Sequence, residues 1–352
     1  MTSNQLSDDE TQIQKDESSS KLSSESFWVS MPNGEQLHLR RVFSKEKLNQ
    51  QNNVTKVFLL HGEALSGDIF FKNKFADLIG KEGYDVFVPD LAGRGRSLGS
   101  DQGYSKITTH QIITEGIPRL INRAKDINIY KKSQTNNKSS HKIILIAHGF
   151  NSCLLTAAWS RLDKLCRLNT YMVFIGAHRR LSSKNILSKI KISLLKNNLI
   201  LRLIKYYGKF PAKKLNFGLC DENIDWFSYY RDWIDNQLWI DLDDKFNYKK
   251  AIRDCSLPSS LYFSYSKDGC FGSIEDTRKF IEDQGMHDAR IHILNKKYES
   301  ILSDSCIVNE ILPRMINWFK EINIYPKVVS NSDFIKTKMS DYNQTKINTT
   351  KA

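Results

Sequence analysis

Lys142-Ile-Ile-Leu-Ile, followed by Ala147-His148-Gly149-Phe150-Asn151-Ser152, is the stretch on which the fold turns. A short, unbroken apolar run stops at a turn and hands over to a helix-forming segment. Continuous rather than alternating apolar character suits a strand buried on both faces. The same kind of run recurs at Lys56-Val-Phe-Leu-Leu, Tyr84-Asp-Val-Phe-Val, Tyr171-Met-Val-Phe-Ile, Ser260-Leu-Tyr-Phe-Ser and Arg290-Ile-His-Ile-Leu. Amphipathic segments of helix length separate most of them. Strand–helix alternation of this sort predicts an α/β protein with a mostly parallel central sheet and helices on both faces. Ahead of the first run, Phe27 to Met31, Pro32-Asn33-Gly34 and Gln36 to Val42 read as a β-hairpin, with Asn-Gly supplying positive φ at the turn.

The alternation breaks between about residues 178 and 258. That segment is helical in pattern and rich in aromatics, and it reads as a cap inserted between two strands. Residues 1–25 and 326–352 are polar and lack the apolar side chains that ordering requires, so both read as disordered tails around a domain spanning 26–325. Tyr130 to His141 reads as a surface insertion. The chain has 352 residues, 40% of them hydrophobic, enough for one large core. Its six cysteines form no C-x-x-C pair, so neither a zinc site nor a redox motif is expected. The N-terminal residues lack the basic and apolar regions of a signal peptide, and no apolar stretch reaches about 18 residues. A reducing cytosol is the expected location, with a peripheral membrane association as the alternative.

Three short segments stand at the C-terminal ends of the runs, where open α/β sheets carry their sites. They are Leu60-His61-Gly62-Glu63-Ala64, Asp90-Leu91-Ala92-Gly93-Arg94-Gly95-Arg96-Ser97, and the Ala147–Ser152 segment. In this order and spacing they resemble the α/β-hydrolase superfamily, in particular its monoacylglycerol-lipase-like and serine-aminopeptidase-like branch. There the first segment reads H-G and the second D-x-x-G-x-G-x-S. The third is the nucleophile elbow, G-H-S-x-G or S-H-S-x-G-G. The resemblance covers roughly Phe27 to Phe319 and implies the α/β-hydrolase fold with an inserted helical cap.

What the resemblance implies for chemistry is mostly loss. A serine hydrolase needs a hydroxyl on the sharp strand-to-helix turn, an imidazole to take its proton and a carboxylate to orient the imidazole. Gly149 occupies the nucleophile position and has no side chain. Ser152, the nearest hydroxyl, falls inside the following helix. Asp268, just after the run at Ser260, stands where the branch carries its acid, although an aspartate before glycine is also a common turn residue. The histidine is expected between Asn295 and Ser303, and none is present; Tyr298 or Lys297 takes that position. On this reading Gly149→Ser alone restores nothing, because no base stands near it, and Tyr298→His is needed beside it. His148 reads as a structural residue packed beside the strand, and Arg94 and Ser97 as loop-fixing. The backbone amides of Glu63 and Phe150 correspond to the family's oxyanion hole, and backbone groups do not depend on residue identity. They predict a site still open to a carbonyl or carboxylate. No metal or cofactor is expected.

The net charge of +13 favours anionic partners. From His178 to Lys214 the chain carries eleven Lys and Arg side chains and no acid. Apolar positions spaced by three and four over about 185–206 make a basic amphipathic helix, which fits either an anionic membrane surface or a helix covering the cleft. The aromatics that follow form a core of their own or line a pocket for an acyl chain or other small apolar ligand. No nucleic-acid recognition module is readable. The expected function is therefore a pseudo-hydrolase that binds a ligand or partner. The alternatives are an active carboxylic-ester hydrolase with a rebuilt site and a peripheral membrane protein.

Overall fold

The computed structural model describes residues 21–51, 53–98, 105–127, 142–164, 166–182, 193, 197–266, 271–286, 289–295 and 300–326. The two tails outside 21–326, the whole Tyr130–His141 insertion, Asp268, Lys297 and Tyr298, and most of the basic segment between 183 and 196 lie outside the described residues.

Eight strands form one sheet. They are β1 (Leu22–Ser30), β2 (Gln36–Ser44), β3 (Lys56–Leu60), β4 (Asp85–Pro89), β5 (Ile143–His148), β6 (Thr170–Ile175), β9 (Ser260–Tyr265) and β10 (Arg290–Leu294). Their order is β1-β2-β4-β3-β5-β6-β9-β10. From β4 to β10 all neighbours run parallel, while β2 is antiparallel to both β1 and β4. The six apolar runs thus become the six parallel strands. A two-stranded ribbon, β7 (Lys209–Phe210) with β8 (Glu222–Asn223), lies in the insertion between β6 and β9.

The reason for the continuous apolar runs is visible in the two cores. Phe58, Leu145 and Ala147 face one core and Val57, Leu59, Ile144 and Ile146 face the other, as the two-residue period of a strand requires. Helices α1 (Phe75–Lys81) and α8 (Leu312–Glu321) cover the second face. Helices α2 (Ile117–Asp126), α3 (Asn151–Arg161), α6 (Tyr248–Cys255) and α7 (Ile274–Gln284) cover the first. The insertion contributes α4 (Asn198–Tyr207) and α5 (Ile224–Asp235). Both α2 and α8 follow a π-helical turn, Ile112–Gly116 and Ile307–Ile311, and each has a proline in its first turn. Proline donates no N–H and crowds the carbonyl four residues back, and a widened turn relieves both.

Two local expectations change. The first strand starts at Leu22, ahead of the Phe27 start read from the apolar run. It pairs with β2 along its full length, from Leu22 opposite Ser44, and Glu25 reaches the buried Arg41 at 2.9 Å. Four polar residues in a row, Ser23 to Ser26, hide this start, and it is exposure that alternates from Ser24 to Ser30, as an edge strand with one solvated face allows. At the hairpin turn only Gly34 takes positive φ, +84°, and the loop closes by bonds between Met31, Gly34 and Glu35 rather than as a two-residue turn.

Candidate functional site

The three motif segments meet at the C-terminal ends of β3, β4 and β5. His61, at the end of β3, donates from Nδ1 to the Gly62 carbonyl and accepts at Nε2 from the Leu91 amide. Burial and the nearby Arg94 guanidinium push its pKa down to about 4, so the ring is neutral. Asp90 accepts from the amides of Gly67 at 2.8 Å and Arg96 at 3.0 Å and pairs with His38. Burial opposes its charge, but these hydrogen bonds hold the carboxyl below its ordinary value. Gly95, at φ +55°, is required because a Cβ there would run into the Asp90 carboxylate. Ser97 donates to the Asp90 carbonyl and accepts from the His38 amide, and the Gly93 amide bonds the Ser97 carbonyl. Ser97 thus ties the ends of the loop together. Arg94 reaches further: buried, it pairs with Glu222 of β8 and lies over the Trp226 ring.

Gly149 sits on the turn between β5 and α3 with φ +60°. His148 ends β5 with its ring against Gly62, whose missing Cβ makes the room. The turn is tied to the first segment by Asn151, whose Nδ2 donates to the His61 carbonyl at 2.9 Å. Ser152 is fully buried in the first turn of α3.

The Phe150 amide is not open as the sequence reading expects. The Phe150 amide donates to Oε2 of Glu63 at 2.7 Å, and a Cβ built on Gly149 would fall inside the same carboxylate. Glu63 therefore fills both the place of a nucleophile side chain and the acceptor place of the amide behind it. One residue on, Ala64 has φ +49°, and its amide donates to Glu222. Burial raises the Glu222 carboxyl above its ordinary value, with Arg94 opposing. The Ala64 carbonyl accepts from the amides of Leu219 and Cys220. Two carboxylates of the chain thus hold the Phe150 and Ala64 amides, one from the H-G loop itself and one from the insertion.

An imidazole does stand beside the Gly149 turn, contrary to expectation, and it comes from the segment that follows β6. His178 is buried, its Nδ1 lies 3.1 Å from the Gly176 carbonyl, and its Nε2 lies 3.5 Å from Oε1 of Glu63. A carbonyl only accepts, so Nδ1 carries a proton and Nε2 is the atom turned toward the carboxylate. Phe150 packs among His178, Trp226, Tyr230 and Trp233 at ring-centroid distances of 4.6 to 6.2 Å. These aromatics from α5 cover the turn. Five buried polar atoms around it have no hydrogen-bond partner among the described residues: His148 Nδ1, Asn151 Oδ1, Ser152 Oγ, His178 Nε2 and Tyr230 Oη. The roles of Glu63 as a carboxylate and of His178 were not read from the sequence. The signals were an acid directly after H-G and a histidine just beyond the end of the strand next to β5.

Elsewhere, His110, Asp241 and Asp243 come within 4.8 Å of one another, a spacing that could hold a metal ion. Asp241 already accepts from Tyr229, Tyr248, His110, Arg161 and the Asp243 amide. Against its burial these bonds hold its pKa down to about 2, and the group serves as a fixed joint between the helical turn at Thr109–Gln111, α3 and the insertion. No helix among the described residues is long and apolar enough to cross a membrane.

No protein-family model matches the chain, and neither does any curated protein. Solved structures do. An esterase of Pyrococcus furiosus is 14% identical, with 87% of this chain and 92% of that one covered, at a TM-score of 0.51. The protein DcsB, solved with its substrate analogue, is 13% identical over 85% of this chain and 99% of its own, at 0.54. The α/β hydrolase GrgF of a Penicillium species is 15% identical over 85% and 98%, at 0.53. Likeness at such identity speaks to architecture, which many unrelated functions share. The chain has the α/β-hydrolase fold.

Proposed function

We propose that this chain is a pseudo-hydrolase: an α/β-hydrolase-fold protein that does not cleave esters and whose cleft and basic insertion serve binding. The observation that carries the reading is the Glu63 carboxylate lying over Gly149 on the Phe150 amide. Ester cleavage through an acyl-enzyme needs a nucleophile at the turn and an open amide to receive the developing oxyanion. Gly149 offers no nucleophile, and a carboxylate in the amide's acceptor place repels a second negative charge. Ser152 is a poor substitute, since it is fully buried within α3. The aromatic side chains around Phe150 are the surface that an acyl or other small apolar ligand would meet once the insertion shifts.

The test is turnover of an ester series from short to long acyl chains by the purified chain, with no rate above buffer expected. The nearness of His178 revises the repair experiment. Gly149→Ser alone still fails, because Glu63 holds the amide. Gly149→Ser with Glu63→Ala frees that amide and sets a hydroxyl near Nε2, and gives weak turnover that His178→Ala removes. The rival reading is a rebuilt hydrolase in which Glu63 and His178 activate water, and the 3.5 Å approach favours it over any use of Ser152. Wild-type turnover lost in Glu63→Gln would establish that rival and end the pseudo-hydrolase reading.

A further inference from the structure

The outer face of α4 and the loop joining β7 to β8 carry large apolar side chains that the fold does not use. Tyr206 is 85% exposed, Tyr207 65% and Leu199 62%. Leu199, Arg202 and Tyr206 follow one another at steps of three and four, the spacing of a single helix face. The inner face is held by Ile204, which is buried, and the ribbon beyond it by Phe210, which stacks on Phe227 at 4.6 Å. Leu215 and Leu219 are exposed in the β7–β8 loop. Arg202, Lys205, Lys213 and Lys214 are exposed around these apolar groups.

Charge gives the surface its partner. No acidic residue occurs between His178 and Cys220. The first acid after that run, Asp221, is taken up within the ribbon by Lys209 at 2.8 Å and by the Lys213 amide at 3.2 Å. Exposed leucines and tyrosines in water are unfavourable unless something covers them. A nucleic acid would satisfy the cations and could stack on tyrosine, but it offers nothing to leucine. A bilayer surface takes all three: phosphate and carboxylate headgroups for Lys and Arg, the headgroup level for tyrosine, and the acyl boundary for leucine.

We propose that α4 and the β7–β8 loop form a docking surface for an anionic phospholipid bilayer, with Leu199, Tyr206 and Tyr207 entering the interface and Arg202, Lys205, Lys213 and Lys214 lying over the headgroups. The proposal does not depend on whether the chain hydrolyses esters.

The experiment is co-sedimentation of the full chain with vesicles of phosphatidylcholine alone and of phosphatidylcholine with phosphatidylserine. Binding to the anionic vesicles is expected, with little to the neutral ones and loss at high salt. Lys213→Glu with Lys214→Glu lowers the affinity by on the order of tenfold or more. Tyr206→Ala with Tyr207→Ala leaves the net charge unchanged and lowers it by on the order of tenfold. All four positions are exposed, and an unchanged thermal midpoint checks that the variants fold. Three outcomes overturn the proposal. One is the absence of binding to anionic vesicles, or equal binding to neutral ones. Another is an unaltered affinity in either double variant, which would move binding to other cations of the chain. The third is single-stranded RNA competing vesicles off through the same tyrosines, which would make the surface a nucleic-acid site.

Discussion

The loop after β4 and the turn after β5 lie one strand apart in the sheet, yet they treat their polar groups in opposite ways. In the first, both oxygens of Asp90, the hydroxyl of Ser97 and both ring nitrogens of the adjoining His61 are hydrogen-bonded, and one buried atom, Nη1 of Arg94, has no partner among the described residues. In the second, His148, Asn151, Ser152, His178 and Tyr230 each hold a buried polar atom without a partner among the described residues. Buried polar groups are nearly always satisfied, because leaving one bare costs about 1–3 kcal/mol. A loop that meets the rule at all but one atom is scaffold. A turn that breaks it repeatedly keeps polar side chains that folding does not require, which is the usual mark of a place where a ligand or a reaction once had a claim.

The sharpest way to break this comparison is to remove Asp90. Asp90→Ala strips the acceptor from two loop amides and from His38 at once, and it should cost about 3–5 kcal/mol, read from urea unfolding. Glu63→Ala removes a carboxylate too, but one serving a single amide at the edge of the site, and it should cost about 1 kcal/mol. Similar costs for the two would mean that both loops are scaffold.

Gly149→Ser comes next. A side chain at φ +60° is strained by roughly 1–2 kcal/mol, and here it must also displace the Glu63 carboxylate, for a total of about 2–4 kcal/mol. In a Glu63→Ala background the second part disappears, so the two changes together should cost less than their sum. Strict additivity in a double-mutant cycle would place Glu63 elsewhere in solution.

Much of the first loop was legible in the sequence and little of the second. The apolar runs ending in Leu60, Val88 and Ile146 gave strands buried on both sides, and the spacing of Asp90, Gly95 and Ser97 encodes a loop that closes on itself. Local patterns like these carry their own geometry. Gly149 was legible as a missing side chain, but what fills the gap was not. The Glu63 side chain reaches the amide of Phe150 across 87 positions, and Arg94 meets Glu222 across 128. His178 lies past the end of its strand, where chain order assigns it to the insertion. Only the β5–β6 pairing puts it beside Glu63. Such contacts are set by tertiary packing, which periodicity does not encode. Asp268 and Tyr298, the two expected remnants, lie outside the described residues and add nothing to either side of the comparison.

Acid separates the two histidines that end β3 and β5. Burial pushes both His61 and His148 down to about 4, from about 6.5 in the unfolded chain. A group depressed on folding stabilises the protein above its unfolded pKa, and that contribution is lost as pH falls through the folded one. Stability should therefore decline from about pH 6.5 toward pH 4, by about 2 kcal/mol at pH 5 for His61. His148→Asn should flatten the decline at little cost at pH 7, because Nδ1 has no bond to lose. His61→Asn should flatten it at a real cost at pH 7, because the ring joins the Gly62 carbonyl to the Leu91 amide. Urea midpoints across this range check both, and equal costs at pH 7 would count against the contrast.

Ser152→Ala is expected to have the smallest effect, and it bears most directly on what the turn is for. The hydroxyl is buried in the first turn of α3 with no partner among the described residues, while the residue's backbone carbonyl accepts from Thr156 regardless of the side chain. Removing an unsatisfied hydroxyl from an apolar site relieves its desolvation and leaves a void smaller than a water. The two nearly cancel, so stability should change by less than about 1 kcal/mol, with a gain as acceptable as a loss. A loss of 2 kcal/mol or more would mean that Ser152 is bonded in solution, and the turn would then be scaffold like the loop beside it. A small change leaves the serine as a polar group that folding does not need, in the same condition as the bare nitrogen of His178 that faces Glu63.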